Sequence, residues 1–532
     1  MTSQTDSKRI LRKFLPLMLL AAVVLAACAP AAATSEAPAD EPAQSDAAAS
    51  EADTPAEDAM ESIFTVAIQP MVQTDPALIS SDSEVLVANA VFDYLVDVDP
   101  ESNPVPRLAE SWTISGDGLE YVFTLVEGVS FHDGSAFDAE DVVWTFDRLR
   151  DPELGFATSS LYGNIASIEA TGDYEVTFTL TQPNPFFLYD LSDNHALVLN
   201  AGTETPEDLN GTGPFVVESY SPEDRIVLSA NEDYFVDGQP GLDGVEIIFF
   251  GDENAMIDAL RGGQADLVLR MSTPLFESLK DLEGIATYDI PTNGFDLIRL
   301  RADRAPGNDE RVIQAMKLAT DREAILELVQ QGYGAVGNDS PIGPLYESYH
   351  DESISPPARD VEAAKALLAD AGYADGIDLV LHVPNSGGRP DLAAVLQAQW
   401  AEAGINLELS VEPEEVYYGE DGWLEVDLGI TGWGSRPYPQ FYLDVMLVTG
   451  AQWNESHFAD AEFDALAATA GSTLDEDERI EAYSQIQQLL AERGPVIIPY
   501  YFPQFGAISD DFTGFNLEAF AGRTDLHTIT LK

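Results

Sequence analysis

From about residue 60 onward, apolar positions follow two rhythms. The segments 120–126 (EYVFTLV), 174–180 (YEVTFTL) and 225–229 (RIVLS) alternate in part between apolar and polar residues, the spacing of half-buried strands. Between them the period lengthens. Asp138, with Asp141 three residues on, is placed to cap a helix over 138–149 that carries Val142, Val143, Phe146 and Leu149 on one face. Residues 253–261 read as a helix stopped by Gly262 and Gly263, and ADLVL comes next as a buried strand. The unit recurs in the C-terminal half. Asp360 caps a helix with Val361, Ala364, Leu367, Leu368 and Ala371 on one side, Gly372 ends it, and IDLVLHV continues as a strand. Residues 390–403 then form a helix that opens at a proline, Gly404 closes it, and INLELSV is the next strand. Helix followed by buried strand, repeated, predicts an α/β architecture rather than a sandwich or a bundle.

The N-terminal end breaks this pattern. A basic stretch, KRILRK at 8–13, precedes the apolar run FLPLMLLAAVVLAA at 14–27, which is shorter than the roughly 20 residues of a membrane-spanning helix. Small residues close the run, as at a signal-peptide cleavage site, and LAAC at 25–28 resembles a bacterial lipobox that would make Cys28 a lipid anchor. Cys28 is the only cysteine in 532 residues, so intramolecular disulfides, CxxC redox chemistry and Cys-based metal sites are excluded. The next stretch, 29–62, is Ala, Pro, Ser and acid with no aromatic residue, a composition expected of a disordered acidic linker. An exported protein held at the outer face of the cell membrane, periplasmic or extracellular, is the expectation.

Charge narrows the partners. With 93 Asp and Glu against 25 Lys and Arg, the formal net charge is -68, and such a surface repels phosphate backbones. Nucleic acid is not an expected partner. At this length at least two domains with their own cores are expected.

Motifs of catalysis and cofactor binding do not emerge. GYGAVG at 332–337 fits G-x-G-x-x-G in letters, but a helical stretch (DREAILELVQQ) leads in and a proline-rich loop leads out, the reverse of a dinucleotide site. Gly332 therefore reads as a helix end. His132, His195, His350, His382, His457 and His527 are scattered at spacings unlike metal-ligand clusters. No cofactor, no metal and no enzymatic activity are expected.

Longer stretches resemble one family. FHDGSAFDAEDVVWTFDRL (131–149), GTGPFVVESYSPEDRIVLSANEDYF (211–235), RVIQAMKLATDREAI (311–325) and VEAAKALLADAGY (361–373) are similar, in family order, to segments of family 5 solute-binding proteins, the dipeptide-, oligopeptide- and nickel-binding receptors of ABC importers. The resemblance implies a two-lobe hinged periplasmic-binding-protein-like fold with an extra subdomain in the N-terminal lobe. By analogy residues 1–27 are the signal peptide, 28–59 the linker, 60–97, 212–300 and 496–532 lobe I, 98–211 its inserted subdomain, and 301–495 lobe II. The implied partners are a peptide or other small-molecule ligand and an ABC permease, with the receptor itself a monomer. A ligand sensor coupled to a signalling partner, and more remotely a hydrolase, are the alternatives.

Peptide-binding members of the family carry an Asp three positions after a Trp in a loop of the second lobe, where it pairs with the ligand's α-ammonium group. In GWGSRPYPQ (432–440) the Trp is Trp433 and the third position after it is Arg436. A guanidinium there favours a carboxylate or another planar anion. Three placements stay open: Arg436 facing the ligand, paired internally with an acid, or on the solvent side of the loop. Trp433 and Tyr438 flank it, Tyr417 belongs to the same aromatic-rich region, and Asn385 lies in VPNSGGR (383–389) at a strand end, where open α/β sheets place ligands. All five are candidate ligand-binding residues.

Overall fold

The computed structural model describes residues 63–100, 102–419, 422–520 and 523–532. Cys28, the expected signal peptide and the expected linker lie outside the described residues.

Two mixed sheets organise the chain. The first has seven strands in the order Ile285–Ile290, Gln504–Ser509, Leu267–Leu269, Ile63–Ile68, Gly244–Phe249, Arg225–Ala230 and Phe215–Ser221. Its central strand, Ile63–Ile68, runs parallel to both neighbours. The second has six, in the order Ala335–Val336, Val496–Tyr501, Phe295–Leu300, Leu428–Trp433, Ile377–Pro384 and Ile405–Glu412. A separate four-stranded antiparallel sheet, built from Ala109–Ile114, Glu120–Leu125, Glu175–Leu180 and Ile165–Gly172, is inserted between strands of the first. Together these make two α/β lobes, the N-terminal one carrying an extra subdomain.

Local chemistry accounts for the elements. Ile377–Pro384 and Ile405–Glu412 pair in parallel along their full lengths, which requires a crossover, and the helix Arg389–Ala401 with Pro in its first turn supplies it. Asp138 and Asp141 form a reciprocal capping box on the helix Ala139–Leu149, and the Asp360 side chain accepts from the Ala363 N–H at the start of Val361–Asp370. Val496–Tyr501 is buried at every position, as an internal strand must be, yet it contains Pro499. Proline cannot donate to the ladder, and the register with Phe295–Leu300 shifts at that point, between Asp296 and Ile298. The GYGAVG stretch is a helix exit: Gln331 and Gly332 are both left-handed after Arg322–Gln330, and Gly334 lets the chain pass Tyr501, whose carbonyl oxygen would lie 2.2 Å from a Cβ. Among the described residues no helix is long and apolar enough to cross a membrane.

The chain passes between the two main sheets at 291–294 and at 502–503. These crossings are tied together. The Phe502 N–H donates to the Gly294 carbonyl at 2.9 Å, and the Thr292 hydroxyl donates to the Phe502 carbonyl at 2.6 Å while accepting from the Gly294 N–H. A Cβ on Gly294 would lie 2.4 Å from the Phe502 ring. The lobe boundaries expected at 300/301 and 495/496 therefore move, because Phe295–Leu300 and Val496–Tyr501 hydrogen-bond within the second sheet rather than the first.

Candidate functional site

The strand Leu428–Trp433 sits inside the second sheet, and Pro437 and Pro439 keep the chain beyond it from continuing as a ladder. The chain instead forms a loop pinned at three successive residues. The Tyr442 hydroxyl donates to the Gly434 carbonyl at 2.7 Å, the Asn293 N–H donates to Ser435 Oγ at 3.1 Å, and the Tyr346 hydroxyl donates to the Arg436 carbonyl at 2.7 Å. Asn293 belongs to the first crossing, so the loop is tied directly to the segment about which the lobes would move.

Trp433 and Tyr417 stand behind this loop. Trp433 Nε1–H donates to Glu455 Oε1 at 3.2 Å, and Glu455 Oε2 accepts from Arg299 Nε and from the Thr431 hydroxyl. Because Thr431 spends its proton on Glu455, the Tyr417 hydroxyl, 3.0 Å away, is the donor to Thr431 Oγ1. Burial raises the Glu455 pKa, with the Arg299 charge opposing. Asn385 is exposed on the turn made by Gly387 and Gly388, its N–H donating to the Glu412 carbonyl.

In front of the loop, a narrow crevice separates it from the inserted subdomain. Arg436 and Tyr438 line one side, Ser192 and Asp193 the other, and Arg523 and Phe520 from the C-terminal segment complete the wall. Trp433, Tyr417 and Asn385 are not part of this lining. The Arg436 guanidinium lies over the Phe441 ring, 4.6 Å from its centroid, and Nη1 donates to the Ser435 carbonyl. Its Nε comes to 3.9 Å from Asp193 Oδ2, too long for a hydrogen bond. Both atoms are buried, and neither has a hydrogen-bond partner.

Asp193 is held as an anion. Burial alone would raise its pKa, but the charge of His195, a 2.5 Å hydrogen bond from His195 Nδ1 to Oδ1 and the charge of Arg436 together bring it down to about 2. A carboxylate only accepts, so His195 Nδ1 carries the proton. Arg523 is anchored separately: its guanidinium stacks over Tyr94 at 3.9 Å, donates to the Ser192 carbonyl at 2.9 Å and pairs with Asp97.

Tyr438 crosses the interface. Its ring packs against both Phe186, at 5.2 Å, and Tyr189, at 5.3 Å, each close to parallel with it, and its hydroxyl donates to Asp190. Burial pushes Asp190 well above the usual carboxylate range, although Tyr438 and Asn184 both donate to it. Beyond Tyr438 a second, wider cavity of about 410 Å³ opens between the inserted subdomain and the second lobe, with Asp190 and Asp444 in its wall.

Residues 103–454 match the family described as bacterial extracellular solute-binding proteins, family 5 Middle. The chain belongs to this family. Its members are solute-binding proteins rather than enzymes, and those it is similar to include heme-binding protein A of Haemophilus influenzae, 28% identical over 88% of this chain and 94% of that protein. A dipeptide-binding protein of Pseudomonas aeruginosa is 29% identical over 78% of this chain and 85% of its own length. Among solved structures, a dipeptide-binding protein of Pseudoalteromonas in complex with Met-Leu superposes with a TM-score of 0.81 at 23% identity, covering 88% of this chain and all of that one. The two-lobe fold is thus that of this family's receptors, and the crevice lies between the lobes.

Sequence reasoning singled out Arg436 and Tyr438, which the fold brings together at the interface. It passed over Asp190, Asp193, Arg523 and Phe520. Nothing in LYDLSDNHALVL marks its acids among 93, since their weight comes from facing a loop far along the chain.

Proposed function

We propose that the chain is the solute receptor of an ABC importer, anchored at the outer face of the cell membrane through Cys28, and that it encloses one small solute between the loop at 434–438 and the segment at 189–194. The observation that carries this reading is a crevice walled by charged and aromatic groups from both lobes, with a buried, unpartnered polar atom offered from each side. A clamp responds to a solute only if the closed arrangement binds it better than the open one, and groups that meet only on closure supply that difference. Arg436 and Tyr438 face the solute. Trp433 and Tyr417 act from behind, through Glu455 and Thr431, to fix the loop that presents Arg436. Asn385, exposed on its turn, has no part in the contact.

Mass spectrometry on gently denatured protein purified without its leader tests capture. A receptor releases a solute in stoichiometric amount and unaltered, whereas recovery of a transformed product would contradict the reading. Restoring the solute at about 100 times its Kd is expected to raise stability by about 2.7 kcal/mol in a thermal melt. For the anchor, Cys28→Ser is expected to move the protein from the membrane fraction to the soluble one. Equal membrane retention of the variant would exclude the lipid.

A further inference from the structure

The crevice has a built polarity. Asp193 Oδ2 is an acceptor held in the ionised state by His195 on the carboxylate's other oxygen, and Arg436 Nε is a donor whose guanidinium is held by the Phe441 ring and the Ser435 carbonyl. The Asp193 side chain is 1% exposed, and its Oδ2 has no hydrogen-bond partner. The two atoms are 3.9 Å apart, so they attract without completing each other's hydrogen bonding. The other charge in the wall, Arg523, is already neutralised by Asp97. Asp193 Oδ2 and Arg436 Nε therefore face each other as opposite poles that both stay unsatisfied.

That arrangement rejects most simple ions. A carboxylate without a cationic neighbour meets Asp193, and an amine or metal ion without an anionic neighbour meets Arg436; a buried charge facing a like charge is strongly disfavoured. A solute with a donor cation and an acceptor anion side by side completes both atoms. Spacing selects further. In an α-amino acid the ammonium nitrogen and the carboxylate oxygens are roughly 3 Å apart, and each peptide unit inserted between the two termini separates them by about a further 3.8 Å. The span from Asp193 Oδ2 to Arg436 Nε suits the shorter unit lying alongside the pair.

We propose that the solute is a free α-amino acid, its ammonium on Asp193 and its carboxylate on Arg436. This rests on the receptor reading above and deepens it. The polarity is opposite to that expected of a peptide receptor, because the acid now comes from the N-terminal lobe and the base from the loop of the second lobe.

The test is a thermal-shift and calorimetry screen of the leaderless protein, freed of bound solute by denaturation and refolding, against the common L-amino acids, against the N-acetyl and carboxamide forms of whichever binds best, and against dipeptides beginning with it. At least one free amino acid is expected to bind, with blocking of either end lowering affinity on the order of 100-fold. Asp193→Asn is expected to lower affinity for the free amino acid by a similar factor and to change little for its N-acetyl form, while Arg436→Gln weakens binding of the free acid but not of the carboxamide. Circular dichroism melts of both variants establish that they fold. Binding of dipeptides but of no free amino acid, or blocked forms that bind as well as the free one, overturns the inference and leaves the receptor reading standing. Failure of every solute in this panel, together with no small molecule released from the purified protein, overturns both.

Discussion

At the scale of single residues, the decisive groups are buried before they are satisfied. Arg436→Ala removes the donor that the second lobe aims at Asp193 Oδ2, and affinity for the solute released from the purified protein is expected to fall by two to three decades in calorimetry. Tyr438 makes a different contribution. Tyr438→Phe keeps the ring against Phe186 and Tyr189 but strips one donor from buried Asp190, leaving it the one from Asn184. Chemical denaturation is expected to show a loss of about 1–3 kcal/mol, the cost of leaving a buried polar group short of a partner; an unchanged midpoint would show that the bond between lobes contributes nothing. Asp444 offers a pH readout. Burial raises its pKa from 3.8 to about 7, and its hydrogen bond from Gln440 opposes that only weakly. The folded state then binds the proton more tightly than the unfolded state between about pH 4 and pH 7, so this group makes stability decline as pH rises through that window and level off above it. Asp444→Asn is expected to raise the melting temperature at pH 8 and to leave it unchanged near pH 3.5. A variant less stable than the parent at pH 8 would contradict the assignment.

At the scale of elements, the loop after Leu428–Trp433 is the working part, and its rigidity comes from three hydrogen bonds to successive residues, one of them to the crossing at Asn293. A site held this way has little freedom to lose when solute arrives. Close backbone approach is equally visible at Gly334, left-handed and pressed on the Tyr501 carbonyl. Gly334→Ala is expected to lower the melting temperature by several degrees without changing the solute's identity, because the strain falls on the edge strand Ala335–Val336 and not on the crevice. Elements were the most legible layer in the sequence. Asp138 with Asp141, Asp360, Pro390 and Gly262 each mark a helix end by a local rule, and the strands at 120–126, 174–180 and 377–383 announce themselves by composition and alternation. The crossings at 291–294 and 502–503 escaped because PTNG and FP interrupt no periodicity. Only strand pairing across the chain assigns Phe295–Leu300 and Val496–Tyr501 to the second sheet. Asp193 escaped for a related reason, its significance being a matter of which side chain it meets.

At the scale of the whole molecule, two lobes connected by a pair of short, mutually hydrogen-bonded crossings are free to move as bodies about them. Contacts that form when they come together include the Tyr438 ring against Phe186 and Tyr189, its hydroxyl on Asp190, and the incomplete pair of Arg436 and Asp193. The first two favour closure with or without solute, and the third makes closure complete only with it. Small-angle X-ray scattering of the leaderless protein, first stripped of bound solute and then with it restored, tests this most directly: the radius of gyration is expected to fall on adding the solute to the parent protein and to remain at the stripped value in Arg436→Ala at the same concentration, whereas a parent protein that binds the solute in calorimetry with no change in its scattering would contradict the account.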